Sequence, residues 1–185
     1  RIEEIIALIR SLNADVRVHG IMIQLPLPKN LRLKTQNLIR EIDPKKDVDG
    51  LRNDSLFVAP VVKAVMLAID EANKIIGRSL LKTQSSKVVV VGSKGFVGGK
   101  VVEFLRERKY SVVGVDIKEK KALEQTRDAD ILISATGVPG LIKSDMVKCG
   151  AIVIDVGAPK VDVDFDEVGK KASFITPVPG GIGPL

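Results

Sequence analysis

Lys87-Val-Val-Val-Val-Gly92-Ser-Lys-Gly95-Phe-Val-Gly98-Gly-Lys-Val-Val-Glu-Phe-Leu105, followed by Ser111-Val-Val-Gly-Val-Asp116, constrains the fold more than any other stretch of this chain. Val88 to Val91 is β-branched and apolar on both faces, the pattern of a strand covered by helices on both sides, and it stops at a glycine. From Gly98 onward Val101, Val102 and Leu105 recur at helical spacing. A strand that turns through glycines into a helix presents free backbone N–H groups and the positive end of a helix dipole, a ready site for a pyrophosphate. The second apolar run, Val112 to Val115, ends in Asp116, about twenty positions past the glycines, where a carboxylate accepts hydrogen bonds from a ribose diol. On spacing alone Gly92-x-x-Gly95-x-x-Gly98 would also suit a closely packed βα turn, and it departs from the usual G-x-G-x-x-G. The order strand, turn, helix, strand, Asp favours the nucleotide reading. Since Asp116 would repel a 2′-phosphate, NAD is expected over NADP.

Composition narrows the remaining classes. The 185 residues are 45% apolar and 28% charged, ordinary for a soluble globular chain, and no apolar run is long enough to cross a bilayer. The single cysteine, Cys149, has no partner for an internal disulfide and no neighbouring cysteine or histidine for a metal site. Together with the lack of a recognisable targeting signal, this points to a reducing compartment, the cytoplasm. The net charge of +6 is scattered along the chain, and 3% aromatic residues leave little to stack on bases, so neither nucleic acid nor membrane is expected as a partner.

In chain order, Ile2, Ile5, Ile6, Ile9 and Leu12 predict an amphipathic helix already under way at the first residue, with further chain expected upstream. Gly20 to Leu25 reads as a buried strand stopped by Pro26 and Pro28, delivering Gln24 to a strand end. Leu31 to Ile42 predicts a helix broken by Asp43-Pro44. The loop Lys45-Lys-Asp47-Val-Asp49-Gly50 is a polar turn that lacks the further acidic ligands of a calcium loop, and Asn53 to Ser55 is another turn. Pro60 precedes a long helix, Val61 to Ile76, ended by Gly77. Beyond Asp116 the pattern predicts a polar helix from Glu119 to Arg127, a strand Asp130 to Ser134, a short helix capped by Ser144 or Asp145, a strand Ala151 to Asp155, and a short strand at Phe174-Ile175. Strands alternating with helices imply a doubly wound parallel sheet from about residue 80, with Gly92, Asp116, Thr136 and Asp155 along one edge.

Four segments, Gly20-Ile-Met-Ile-Gln-Leu-Pro-Leu-Pro28, Asp43-Pro-Lys-Lys-Asp-Val-Asp-Gly50, Ala151-Ile-Val-Ile-Asp-Val-Gly157 and Ile175-Thr-Pro-Val-Pro-Gly-Gly-Ile-Gly-Pro184, resemble the bifunctional methylenetetrahydrofolate dehydrogenase/cyclohydrolase family. The resemblance covers nearly the whole chain in the right order. It implies an α/β architecture: residues 1–60 would be the end of a smaller catalytic lobe, 61–79 a connecting helix, and 80–185 a Rossmann-like nucleotide domain. It also implies oxidation of 5,10-methylenetetrahydrofolate to the methenyl form with NAD(P), hydrolysis to 10-formyltetrahydrofolate, and a homodimer. Folate is expected in a cleft between the lobes. Gln24 would stand beside a catalytic lysine, Asp49 would bind the pterin edge while Asp47 shapes the loop, and Pro179, Gly180 and Gly181 would line the folate site. Gly92, Ser93, Lys94, Val97, Gly98, Asp116, Ala135, Thr136, Gly137, Gly157 and Ala158 would bind the dinucleotide.

The departures from the family pattern are as informative. The family's tyrosine and lysine precede the Gln24 segment and have no counterpart here, Tyr110 lying in the nucleotide domain. Its Pro-Cys-Thr-Pro segment is expected near Phe57-Val-Ala-Pro60 and is not recognisable there. Its Gly-Arg-Ser turn reads Gly92-Ser93-Lys94, with Lys100 where the family has proline, and loss of that arginine beside Asp116 strengthens the expectation of NAD. Two other classes share these motifs: a monofunctional NAD-dependent dehydrogenase and a non-catalytic dinucleotide-binding module. A shikimate-type dehydrogenase explains neither proline motif.

Overall fold

The computed structural model describes residues 2–77, 86–119, 123–157 and 160–185. They form two compact units, Arg1–Pro60 and Val61–Leu185.

The first unit is built on α1 (Ile2–Ala14), a 3-10 turn (Lys29–Lys34) and α2 (Thr35–Glu41). The apolar stripe of α1 buries Ile9 in a cluster with Ile21, Leu27, Leu38, Ile39, Ile42 and Leu51. Polar clamps fix the chain that follows. Lys46 Nζ donates to the carbonyls of Leu12 (2.9 Å), Asn13 (2.7 Å) and Asp15 (2.8 Å), satisfying acceptors that the C-terminus of α1 leaves open. Asn13 donates to the Glu41 carbonyl at 2.6 Å and accepts from the Asp43 N–H at 2.9 Å, tying both helix ends to the acidic loop.

Gly20 to Leu25 is not a strand. Its one ladder contact among the described residues is an isolated parallel bridge from Ile21 to Asp47, supported by Ile21 N–H donating to Lys46 O at 2.7 Å. An apolar run becomes a strand only where neighbours pair its backbone, and Pro26 and Pro28 supply no donor to extend the bridge. The helix expected from Leu31 starts earlier, as the 3-10 turn at Lys29.

The second unit opens with α3 (Pro60–Ile76), whose buried face is Val62, Val65, Ala68, Ile69 and Ala72, and which ends at Gly77. Five parallel strands follow: β1 (Val88–Val91), β2 (Val112–Val115), β3 (Ile131–Ser134), β4 (Ile152–Asp155) and β5 (Phe174–Ile175), in the order β2-β1-β3-β4-β5. The three inner strands β1, β3 and β4 are buried at every residue, as continuous β-branched runs require. The edge strand β2 is only partly covered. Between β1 and β2 runs α4 (Phe96–Glu107), burying Val101, Val102 and Leu105.

Because β2 lies on one side of β1 and β3 on the other, the direction of winding reverses between β1 and β3, where open α/β sheets bind ligands beyond the strand ends. Register aligns those ends: Val91 pairs with Val115 and with Ser134, and Ser134 with Asp155.

Local structure departs from the expected pattern at two places, and one expected helix lies partly outside the described residues. Residues 120–122 of the polar helix lie outside the described residues, and Glu124–Asp128 is a 3-10 turn. Neither Ser144 nor Asp145 caps a helix: Ser144–Met146 is a single 3-10 turn whose N-cap position is Lys143, with no side-chain cap. A short helix, α5 (Phe165–Gly169), forms where the sequence pattern suggested none.

Candidate active site

The crevice between the ends of β1 and β3 is shaped by backbone contacts that admit no side chain. Gly92 has φ +86°, and a Cβ there would overlap the Ala135 carbonyl and stand 3.2 Å from Thr136 Cα. A Cβ on Gly98 would overlap the Gly92 carbonyl group and reach Ser93 Cα at 3.2 Å. The turn is closed by Gly95 N–H donating to Gly92 O at 2.9 Å, and Gly92 N–H donates to Val115 O at 2.9 Å. Gly95 is the N-cap of α4 and contributes no capping side chain. The first-turn N–H groups of α4, at Phe96, Val97 and Gly98, therefore have no partner within the helix and open toward an anion. Ser93 lies over Gly114 of β2, with Ser93 Oγ 2.9 Å from the point where a Cβ on that glycine would stand.

Asp116, just past β2, lies at the side of this turn. Its Oδ1 accepts the Lys118 N–H at 2.8 Å, and Lys94 Nζ is 3.1 Å from its Oδ2 and 2.9 Å from Glu119 Oε1. The Lys118 N–H and then the Lys94 ammonium hold the Asp116 carboxyl below its ordinary value, while Glu119 and Asp116 raise Lys94. Asp116 is thus held in its ionised form, and the turn carries the Lys94 cation beside it.

On the β3 side, Ala135, Thr136 and Gly137 are held by a residue the sequence reading passed over. Asp162 is fully buried, and its Oδ2 accepts from Ser134 Oγ (2.9 Å), Thr136 N–H (2.6 Å) and Gly137 N–H (3.3 Å). Its Oδ1 is buried without a partner among the described residues. Asp155, at the end of β4, accepts from Gly157 N–H at 2.7 Å and Val163 N–H at 3.0 Å, and its own N–H donates to Thr176 Oγ1 at 2.8 Å. Burial, and secondarily the nearby Asp162, raise the Asp155 carboxyl above its ordinary value. Gly157 packs between the two acids. Ala158 lies outside the described residues.

The remaining predicted residues are placed separately. Gly180 and Gly181 line an open groove with Met66, Asp70 and Lys74 of α3 and with Tyr110, and no residue of the glycine turn lines it. Pro179 is exposed beside them. In the first unit Asp47 is fully buried and accepts from the N–H groups of Leu51 (3.0 Å) and Arg52 (2.8 Å), so it shapes its loop. Asp49 is half-buried, and burial followed by the charge of Asp47 raises its carboxyl. Gln24 is exposed, its amide donating to the Leu25 carbonyl at 3.1 Å.

No sequence pattern marks Asp162. Alternation along Val161-Asp-Val163 would put Val163 inside and Asp162 outside, whereas both are buried. Lys46 was equally hidden, because its acceptors lie about thirty residues away in sequence.

Comparison with known proteins gives a consistent result. The family model described as Tetrahydrofolate dehydrogenase/cyclohydrolase, NAD(P)-binding domain, matches residues 70–185, and that of the catalytic domain of the same family matches residues 1–49. The chain is 42% identical to the bifunctional protein FolD of Lactobacillus helveticus over 99% of its own length and 67% of that protein's. Among solved structures, the bifunctional FolD methylenetetrahydrofolate dehydrogenase/cyclohydrolase of Campylobacter jejuni superposes with a TM-score of 0.82 at 38% identity, covering 98% of this chain and 67% of that one. The Trypanosoma brucei enzyme, solved with NADP and an inhibitor, gives 0.80 at 32%, with the same coverage. The chain therefore spans about two thirds of the length of these relatives.

Proposed function

Since this chain belongs to the tetrahydrofolate dehydrogenase/cyclohydrolase family of bifunctional enzymes, we propose that the protein oxidises 5,10-methylenetetrahydrofolate with NAD and hydrolyses the methenyl product to 10-formyltetrahydrofolate. The observation that carries this reading is the crevice at the β1–β3 switch point: a glycine turn, open helix N–H groups and an ionised acid at the ribose position.

Those residues fit a dinucleotide. The N–H groups of Phe96, Val97 and Gly98, with Lys94 close by, meet the pyrophosphate. Asp116 takes the adenine-side ribose diol, and Thr136, Gly137 and Gly157 wall the nicotinamide half. When bound, the nicotinamide supplies a hydride acceptor. This chain's contribution is to hold it in a fixed position, since hydride transfer needs close and aligned carbons. On the substrate side Asp49 accepts from the pterin amine and ring N–H, a pairing that needs the ionised carboxylate; its raised value makes this contact weaken as pH falls into the acid range. Gln24 orients the group that handles the proton of the hydrolytic step, and Pro179, Gly180 and Gly181 border the folate.

The preference for NAD follows from Asp116 and from Ser93, which supplies no guanidinium for a 2′-phosphate. NADP in the Trypanosoma brucei relative is the competing reading, and Lys94 is the cation that favours it. The exposed, unpaired Cys149 suits a reducing cytoplasm, and a homodimer completes the proposal.

Two assays test it: reduction of NAD or NADP coupled to methenyl formation, and separate hydrolysis of the methenyl compound. Both activities, with NAD preferred, are expected. Methenyl formation without hydrolysis would make the protein monofunctional, and neither activity would reduce it to a binding module. Asp116→Ala is expected to relax the NAD preference by about tenfold, the scale of one partly screened charge contact at the ribose. An unchanged preference would remove Asp116 from the ribose site.

A further inference from the structure

The corner where β2 meets the glycine turn sets two carboxylates on one cation. The Val115 carbonyl, last in β2, accepts both the Gly92 N–H at 2.9 Å and the Ser93 N–H at 3.2 Å, which fixes the next residue, Lys94, beside the end of that strand. Past β2 the chain doubles back at once. The Asp116 carbonyl accepts the Glu119 N–H at 3.1 Å and Asp116 Oδ1 accepts the Lys118 N–H at 2.8 Å, a tight turn closed by both the backbone and the side chain of its first residue. That turn carries Glu119 back to Lys94, whose Nζ stands 2.9 Å from Glu119 Oε1 and 3.1 Å from Asp116 Oδ2.

We propose that Glu119 is a positioning residue that sets cofactor specificity through Lys94: it holds the ammonium between two carboxylates, withholds it from a 2′-phosphate, and so selects NAD. The inference rests on the dinucleotide reading and deepens it. Asp116 binds the ribose diol, while Glu119 works on the cation beside it.

Charge decides which dinucleotide this corner accepts. Lys94, Asp116 and Glu119 together carry a net charge of −1. A ribose diol is neutral and donates to Asp116 without disturbing Lys94. A 2′-phosphate brings about −1.5 to −2 charges near pH 7, so it must draw Lys94 away from carboxylates that already hold it and then face both of them. With Glu119 made neutral the trio is neutral as well, and the ammonium keeps one carboxylate partner and has donors to spare. Exposure separates the two acids further. The Asp116 side chain is mostly covered, whereas Lys94 and Glu119 are exposed, so their pair can be exchanged for another anion without disturbing the fold and weakens as salt is added. The Lys118 ammonium also acts on Asp116, more weakly than that of Lys94.

The test is calorimetric titration of the unmodified protein and of Glu119→Gln with NAD and with NADP, at low and at raised salt. Glu119→Gln is expected to bind NADP about fivefold more tightly at low salt, the scale of one exposed ion pair, while NAD affinity moves by less than about twofold. The gain should shrink as salt is raised, and it should disappear in Lys94→Gln/Glu119→Gln, where no ammonium remains to be released. Asp116→Ala differs in kind, since it weakens NAD itself. A purely structural role for Glu119 would move both dinucleotides together and would not depend on Lys94. An unchanged NAD to NADP ratio in Glu119→Gln, an equal gain for both dinucleotides, or a gain that survives loss of Lys94 would each overturn the proposal while NAD binding by the unmodified protein leaves the dinucleotide reading standing. If the unmodified protein binds neither dinucleotide, that reading falls and this inference falls with it.

Discussion

Gly92→Ala is expected to lose dinucleotide binding altogether and to cost the nucleotide unit about 3 kcal/mol or more of stability. Two effects add. A φ of +86° is strained for any residue with a Cβ, and the new methyl group would overlap the backbone carbonyl of Ala135, which cannot swing aside as a side chain can. Relief requires the ends of β1 and β3 to separate, which opens the crevice proposed to take the pyrophosphate. Thermal melting and NAD titration of the variant together check this. A variant with wild-type stability and wild-type affinity would show that the turn does not form the site.

Asp162→Ala is expected to be nearly as severe, destabilising the nucleotide unit by about 3 to 5 kcal/mol. The substitution leaves Ser134 Oγ and the N–H groups of Thr136 and Gly137 without their acceptor in a buried place, and it takes the Asp155 carboxyl's neighbour away. Unlike Gly92→Ala it introduces no overlap, so a folded population is expected at low temperature. In that population NAD should bind at least tenfold more weakly, because the nicotinamide wall is no longer fixed. Hydrogen exchange at Thr136 and Gly137 reads the same event directly and should accelerate. Protection equal to wild type would mean the loop is held by something other than Asp162.

How much of this was readable in the chain depends on the range of the interactions involved. The inner strands at 88–91, 131–134 and 152–155 announce themselves as short, continuously apolar runs, because the sheet that buries them on both faces demands that composition locally, and the partly covered edge strand at 112–115 carries a weaker form of the same run. Gly20 to Leu25 shows the limit of that signal. It has the same apolar look, yet a strand also needs neighbours, and its backbone finds one bridge at Ile21. The glycine turn and Asp116 were legible since turn, helix and acid lie within one βαβ unit.

Lys46 and Asp162 were not legible, for a common reason. Each is a charged residue held by backbone groups remote in sequence: half-buried Lys46 by the carbonyls ending α1, and fully buried Asp162 by the N–H groups past β3. Periodicity reports which residues avoid water. It cannot report a charge whose desolvation is offset by partners elsewhere in the fold. The Asp47 loop was intermediate. Its carboxylate accepts from N–H groups four and five residues on, close enough for the local sequence to suggest a loop-shaping role.

The most direct test of the account is calorimetric titration of the protein with NAD and, separately, with NADP, after circular dichroism has shown the sample to be folded. The account predicts one saturable NAD site per chain and weaker binding of NADP. A folded protein that takes up neither dinucleotide would contradict it, because the crevice at the end of β1 would then be a packing feature and not a binding site.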